Sequence, residues 1–165
     1  MKYINITIVL TLALTGCASL QPKPYKEPST GQTATLTIAN KSDARLRVWQ
    51  MNNAENCSQT SYVNGAPGLP AQTSLKLKYA ADQKIAFYIT GLQESTFQKK
   101  QCSFIFSTKL TPDEQYLLIY SFEEDNCRLV EAKMQADGTP IRQSFLVQRE
   151  YTAGGELFGW CKSEH

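Results

Sequence analysis

Five cysteines, Cys17, Cys57, Cys102, Cys127 and Cys161, are the side chains in this sequence best suited to covalent chemistry. A thiol can ligate metal, attack an acyl group, accept a lipid or form a bridge, and spacing separates these uses. No Cys-x-x-Cys pair occurs, and the last four cysteines stand 45, 25 and 34 residues apart, which is not the spacing of a four-thiolate zinc site. Nucleophilic catalysis needs a held base. The only histidine is His165, the final residue, and chain termini rarely hold a side chain in place. Phosphate-binding glycine loops are missing as well, since Gly154-Gly155 stands outside any such motif. The acids Glu123, Glu124 and Asp125 could bind calcium or act as an acid-base pair, but acids in a turn are more simply read as solvated, and so are Lys99 and Lys100. The expectation is a protein without metal or small-molecule cofactor, and a hydrolase is the least favoured class.

Binding chemistry has better candidates. In Arg45-Leu46-Arg47-Val48-Trp49-Gln50-Met51, alternation puts Leu46 and Val48 on one face and Arg45, Arg47, Trp49 and Met51 on the other. Arginine beside an exposed tryptophan is a combination enriched at binding hot spots. The competing expectation is a β-bulge that returns Trp49 to the core. A second candidate is the stretch 52–72, where Asn52, Asn53, Gly65, Pro67, Gly68 and Pro70 predict a long loop with Tyr62 and Leu69 as exposed anchors. A loop merely pinned through Cys57 accounts for the same residues.

The elements that must position these groups are strands. Period-two alternation predicts them at 33–38, 45–51, 75–79, 84–90, 102–108, 116–122, 128–134 and 141–151, the first two forming a hairpin, with 91–101 a polar connection. No helical period persists. Eight short strands with turn signals between them predict an all-β fold, an antiparallel β-sandwich spanning 33–165. With 165 residues, one domain is expected, and 17 basic against 15 acidic side chains leave no footprint for nucleic acid.

Residues 1–16 have the shape of a signal peptide: Lys2, an apolar run from Ile4 to Leu14, then small residues. Leu14-Thr15-Gly16-Cys17 resembles the lipobox of bacterial lipoproteins. The resemblance implies cleavage before Cys17, with diacylglycerol and an N-acyl chain on that residue. Several acyl chains on one cysteine would tether the chain stably to a membrane without spanning it. Ala18-Ser19, with no Asp after Cys17, is similar to the outer-membrane class, whichever face of that membrane the domain occupies. Residues 17–32 hold three prolines and read as a flexible linker, which at about 3.1 Å per residue could reach some 45 Å. An ordinary signal peptide with Cys17 as a plain thiol is the alternative.

Leu110-Thr111-Pro112-Asp113-Glu114-Gln115-Tyr116 resembles the tyrosine corner of fibronectin type III and other immunoglobulin-like domains. It implies an immunoglobulin-like sandwich of seven or eight strands, with the Tyr116 hydroxyl bonded back to the backbone. Strands running oppositely on either side of that corner would bring Cys102 near Cys127, leaving Cys57 with Cys161. Cys57 with Cys102 and Cys127 with Cys161 stays open as the other pairing. The Arg45–Met51 strand is also similar to one in the small lipoprotein of the type VI secretion apparatus. The leading expectation is a lipid-anchored, non-enzymatic module that binds another envelope protein, and a secretion-apparatus subunit is the narrower alternative.

Overall fold

The computed structural model describes residues 23–65, 67–94, 99–123, 126–154 and 159–162. The signal peptide, Cys17, Glu124, Asp125 and His165 lie outside the described residues. Alternation in the sequence becomes eleven strands: β1 (Lys23–Pro24), β2 (Thr33–Asn40), β3 (Arg45–Asn53), β4 (Ser58–Tyr62), β5 (Ser74–Ala80), β6 (Lys84–Glu94), β7 (Lys99–Lys109), β8 (Gln115–Glu123), β9 (Asn126–Met134), β10 (Pro140–Arg142) and β11 (Val147–Gln148). They form two sheets. The first runs β1-β4-β3-β6-β7-β11 and the second β10-β9-β8-β2-β5. One core joins their inner faces, with Leu46, Val48, Phe87, Ile89 and Phe106 from the first sheet and Leu36, Ile38, Tyr79, Leu118 and Tyr120 from the second. Strands such as β3 and β8 bury alternate side chains along much of their length, and those apolar faces are covered only when the sheets close on each other.

The arrangement is sandwich-like, but the sheets are mixed rather than antiparallel. β2 pairs antiparallel with β5 and parallel with β8, from Thr35↔Gln115 to Asn40↔Tyr120, and β1 pairs parallel with β4. The expected hairpin of 33–38 with 45–51 does not form, because β2 and β3 belong to opposite sheets. Buried Asn40 turns the chain across. Its Nδ2 donates to the carbonyls of Ala44 (2.8 Å), Leu69 (3.2 Å) and Pro70 (3.0 Å), while Oδ1 accepts from Ser42 N–H (3.1 Å) and Oγ (2.6 Å). A side chain that meets all these partners makes an inter-sheet arch from four residues that alternation reads as a turn.

Three further expectations change. The 52–72 stretch contains β4, and 91–101 extends the β6–β7 hairpin, in register from Lys84↔Lys109 to Glu94↔Lys99. The segment 141–151 is two short strands in different sheets: β10 on β9 and β11 on β7. Glu131 drives the crossing, its Oε2 accepting the N–H groups of Phe145 (2.6 Å) and Leu146 (2.8 Å).

The linker is docked from Lys23 onward. Tyr25 N–H donates to the Tyr62 carbonyl (2.8 Å), its ring stacks on Tyr79 at 5.0 Å, and its hydroxyl donates to the Lys78 carbonyl (2.5 Å). Glu27 Oε1 accepts the N–H of Lys78 (3.0 Å). The segment is a strap joining β4 of one sheet to β5 of the other, so it occupies backbone groups that edge strand β5 would leave open.

Candidate functional site

On the outer face of the first sheet, register fixes a grid across β4, β3, β6 and β7. One row reads Tyr62, Trp49, Tyr88, Ile105, and the next Arg47, Thr90, Ser103. A third row holds Arg45, Leu92 and Gln101. The expected bulge is not there. Pairing of β3 with β6 is continuous from Arg45↔Leu92 to Met51↔Ala86, so Trp49 keeps its outward phase. The inner positions of β3 are filled by Leu46 and Val48, both fully buried, and Trp49 packs instead between Tyr62 (5.2 Å) and Tyr88 (5.3 Å).

Arg45, Arg47, Trp49 and Tyr62 therefore share one surface, although Tyr62 belongs to a strand rather than to a loop. Burial pushes the Tyr62 phenol up, and the positive charge of Arg47 opposes that shift. Leu69 is elsewhere. It is only 7% exposed, forms an isolated bridge with Leu46 through reciprocal hydrogen bonds of 2.7 and 3.0 Å, and belongs to the core rather than to an exposed anchor. Gly68 allows that approach: its φ is +81°, and a Cβ there would stand 2.9 Å from the Leu46 carbonyl oxygen.

The chain after β11 folds over one end of the grid. Cys57 and Cys161 are bridged, with Cα atoms 5.4 Å apart, and Tyr151 forms an isolated bridge with Cys161. Arg149, buried, donates to the carbonyls of Ala54 (2.7 Å), Glu55 (2.7 Å) and Lys162. Gly159 passes so close to the Asn56 carbonyl that any Cβ would overlap it. Under this tail a second small core forms from Met51, Ala54, Cys57, Ala86, Ile105 and Cys161. The other bridge, Cys102–Cys127, ties β7 to β9 with Cα atoms 6.2 Å apart, so both bonds follow the first of the two pairings left open by the sequence.

Tail and sheet enclose a groove of about 370 Å³. Trp49 and Tyr88 wall it on the sheet side, Tyr151 and Trp160 on the tail side, and Met51 and Ile105 line its floor. Tyr151 is 58% exposed and stacks on Trp160 at 6.3 Å. Beside the aromatic row lies a neutral polar network. The Tyr88 and Ser103 hydroxyls are 3.1 Å apart, Ser103 Oγ donates to Thr90 Oγ1 (2.9 Å), and Gln101 Nε2 donates to Ser103 Oγ (3.0 Å) and Tyr88 Oη (3.3 Å). Farther on, Arg45 and Arg47 line a hollow of about 260 Å³ with Asp43, Leu92 and Gln93. Among the described residues, neither guanidinium is ion-paired, and Arg45 Nη1 reaches only the Pro67 carbonyl at 3.4 Å.

Tyr116 sits across the molecule, where its hydroxyl accepts the Thr111 N–H at 3.1 Å. Among the described residues, no three His, Cys, Asp or Glu side chains converge to hold a metal ion. Three aromatic groove residues, Tyr88, Tyr151 and Trp160, escape sequence reading. Tyr88 had a visible signal, an aromatic in the outward phase of a strand whose inward residues are Ile85, Phe87 and Ile89. Tyr151 and Trp160 had none until the Cys57–Cys161 bridge placed the tail. This is an all-β protein of two mixed sheets around one core, with an aromatic groove outside that core. No protein-family model matches the sequence, and no curated protein matches it either.

Proposed function

We propose that this protein is a lipid-anchored, non-enzymatic binding module of the outer membrane, and that it recognises another envelope component through the outer face of its first sheet. The observation that carries this reading is the groove. Aromatic rings outside the main core are held outward in a row and faced by a second aromatic pair on a cross-linked tail. Rigid aromatic surface bordered by polar groups is the usual make-up of a recognition site. Two sheets about one core and the Tyr116–Thr111 bond support an immunoglobulin-like relationship, from which the parallel β2–β8 pairing departs.

The strap changes how the anchor would work. Cys17 and Lys23 stand six positions apart. At 3.3–3.6 Å per residue this gap spans about 22 Å at most, about half the reach of a free linker. The domain would therefore ride close to the headgroups. Palmitate labelling in cells tests the anchor: incorporation should vanish in Cys17→Ala, and labelling that persists would overturn it. Cross-linking of the anchored protein in cells tests the binding module. Capture of an envelope component that is lost in Trp49→Ala supports the reading, and recovery of only lipid and the protein itself would remove it.

A further inference from the structure

Resting on the binding-module reading, the geometry points to a ligand class: we infer that the outer face binds an acidic saccharide, with a sugar ring in the aromatic groove and its anionic substituent on Arg47 and Arg45. The argument is the order of the rows. Residues two apart on a strand are about 6.6 Å apart, so Trp49, Arg47 and Arg45 mark three rows over about 13 Å. Across that distance the surface changes from ring faces at Trp49 and Tyr88, to hydroxyls at Thr90 and Ser103 with the Gln101 amide beyond, to guanidiniums.

A pyranose has the matching sequence of properties. Its C–H face is apolar and slightly positive, and it lies on the negative face of an indole or phenol ring. Its equatorial hydroxyls stand at the edge and need neutral hydrogen-bonding partners. A carboxylate or phosphate substituent would meet a planar guanidinium, which accommodates either group in two-point contact. Two arginines against Asp43 leave that hollow with a net positive charge. Other occupants match only part of the surface. An acyl chain would use the groove and make no use of the hydroxyl and guanidinium rows. A proline-rich peptide fits the rings but brings no anion. The groove is also pre-formed, because the Cys57–Cys161 bridge and Arg149 fix its tail-side wall, and a rigid site loses less entropy when it is filled.

The chain has two tryptophans, Trp49 and Trp160, and both line the groove, so tryptophan fluorescence, excited selectively over the tyrosines, reports on this site. The mature full-length protein in detergent is titrated with four probes: a carboxylated muramyl disaccharide, a phosphorylated lipopolysaccharide core oligosaccharide, the neutral N,N′-diacetylchitobiose, and a proline-rich peptide. One acidic saccharide should give a saturable change, and which one does so identifies the source. The neutral sugar should bind about tenfold more weakly, the worth of one charge-assisted contact. Arg47→Gln should bring the acidic probe down to the neutral one, with partial recovery in Arg47→Lys, and Tyr151→Ala should weaken both sugars together. Trp160 still reports in Trp49→Ala, where binding should fall at least thirtyfold, as for a hot-spot aromatic. Saturation by the peptide, equal binding of neutral and acidic sugars, or no response to any saccharide would each overturn the inference. If cells still yield a Trp49-dependent cross-linked partner while no saccharide binds, the ligand class is wrong and the binding module stands.

Discussion

The two sheets bury similar inner faces but present different outer ones. Outward positions of the second sheet carry Thr33, Thr35 and Thr37 on β2, Ser74, Lys76 and Lys78 on β5, and Leu117, Ile119 and Ser121 on β8. Among the described residues of its strands, every aromatic points inward: Tyr79, Tyr116, Tyr120 and Phe122. The first sheet also turns Phe87, Phe104 and Phe106 into the core, yet places Tyr62, Trp49 and Tyr88 outside and covers part of them with a bridged tail. Solvation and solubility are satisfied by the threonine and lysine pattern. On the other surface Tyr88 and Trp160 pack on the small second core, whereas Trp49 and Tyr62 belong to neither core, and that contrast separates what stabilises the protein from what it can recognise.

The largest test of this division is alkaline pH, which should reach the inward tyrosines and remove the fold. Burial pushes Tyr120 up to about 12 and Tyr79 well above its ordinary value of 10.0. A phenol whose folded value is raised stays protonated in the folded state while the unfolded chain ionises at about 10, so the unfolded state gains. Stability is full below pH 10 and is lost as pH rises from 10 towards 12. Cooperative loss of the β-sheet circular dichroism, with tyrosinate absorbance rising in the same window, is expected. Tyrosinate formation complete near pH 10 with the fold intact would refute inward burial.

Next in size are neighbouring residues on one strand. Phe87 faces the shared core and packs on Tyr79 at 5.2 Å and Phe106 at 5.5 Å, so Phe87→Ala should cost about 3–5 kcal/mol in chemical denaturation. Tyr88→Ala, one residue on and facing out, should cost far less. Comparable losses would mean that the outer row is structural after all.

The bridges make the third test. Cys57–Cys161 closes 104 residues and Cys102–Cys127 closes 25, so the first constrains the unfolded chain more, and removing it should cost about 2–4 kcal/mol. The effects should also differ in kind. A Cys57→Ser, Cys161→Ser variant should loosen the tail and change Trp160 fluorescence, while loss of Cys102–Cys127 should leave the groove intact. Deleting 152–165 should reproduce the first effect, and unchanged thermal unfolding of that truncation would count against a stabilising tail.

Most strands were legible because alternation records which face of a strand is buried. It does not record the partner. Thr33–Ile38 and Arg45–Met51 look like a hairpin by pattern, but the Asn40 side chain, bonded to the Ala44 carbonyl at the end of the arch and to the Leu69 and Pro70 carbonyls of a distant loop, holds the crossing to opposite sheets. Glu131 does the same for Ile141–Tyr151. β4 was hidden by the glycines and prolines that follow it, and β1 by its own proline, since a strand of two residues has no period to read. In the site, the outward phase of Arg47 and Trp49 could be read directly. Leu69 was misjudged because breakers around it suggest solvent, whereas Gly68 brings its backbone against Leu46 and buries it.

The smallest stability effect belongs to Trp49, and it sharpens the comparison most. Its ring touches Tyr62 and Tyr88 but no member of the main core cluster lies on its face of the sheet. Trp49→Ala should remove two aromatic contacts, each worth about 0.5–1.5 kcal/mol beyond area, partly recovered as Tyr62 and Tyr88 close together. Trp49 is half-buried, so its covered area adds to these contacts, and a loss of about 2 kcal/mol is expected, a shift of roughly 4–8 °C in thermal unfolding. Phe104→Ala on β7, half-buried like Trp49 but packed on the main core and edge-on to Tyr120 at 6.2 Å, should lose more for a smaller ring. A tryptophan that contributes less stability than a phenylalanine is a residue held for what it contacts outside the fold. If Trp49→Ala instead unfolds the protein as readily as the Phe104 change, Trp49 belongs to the small second core rather than to a recognition surface.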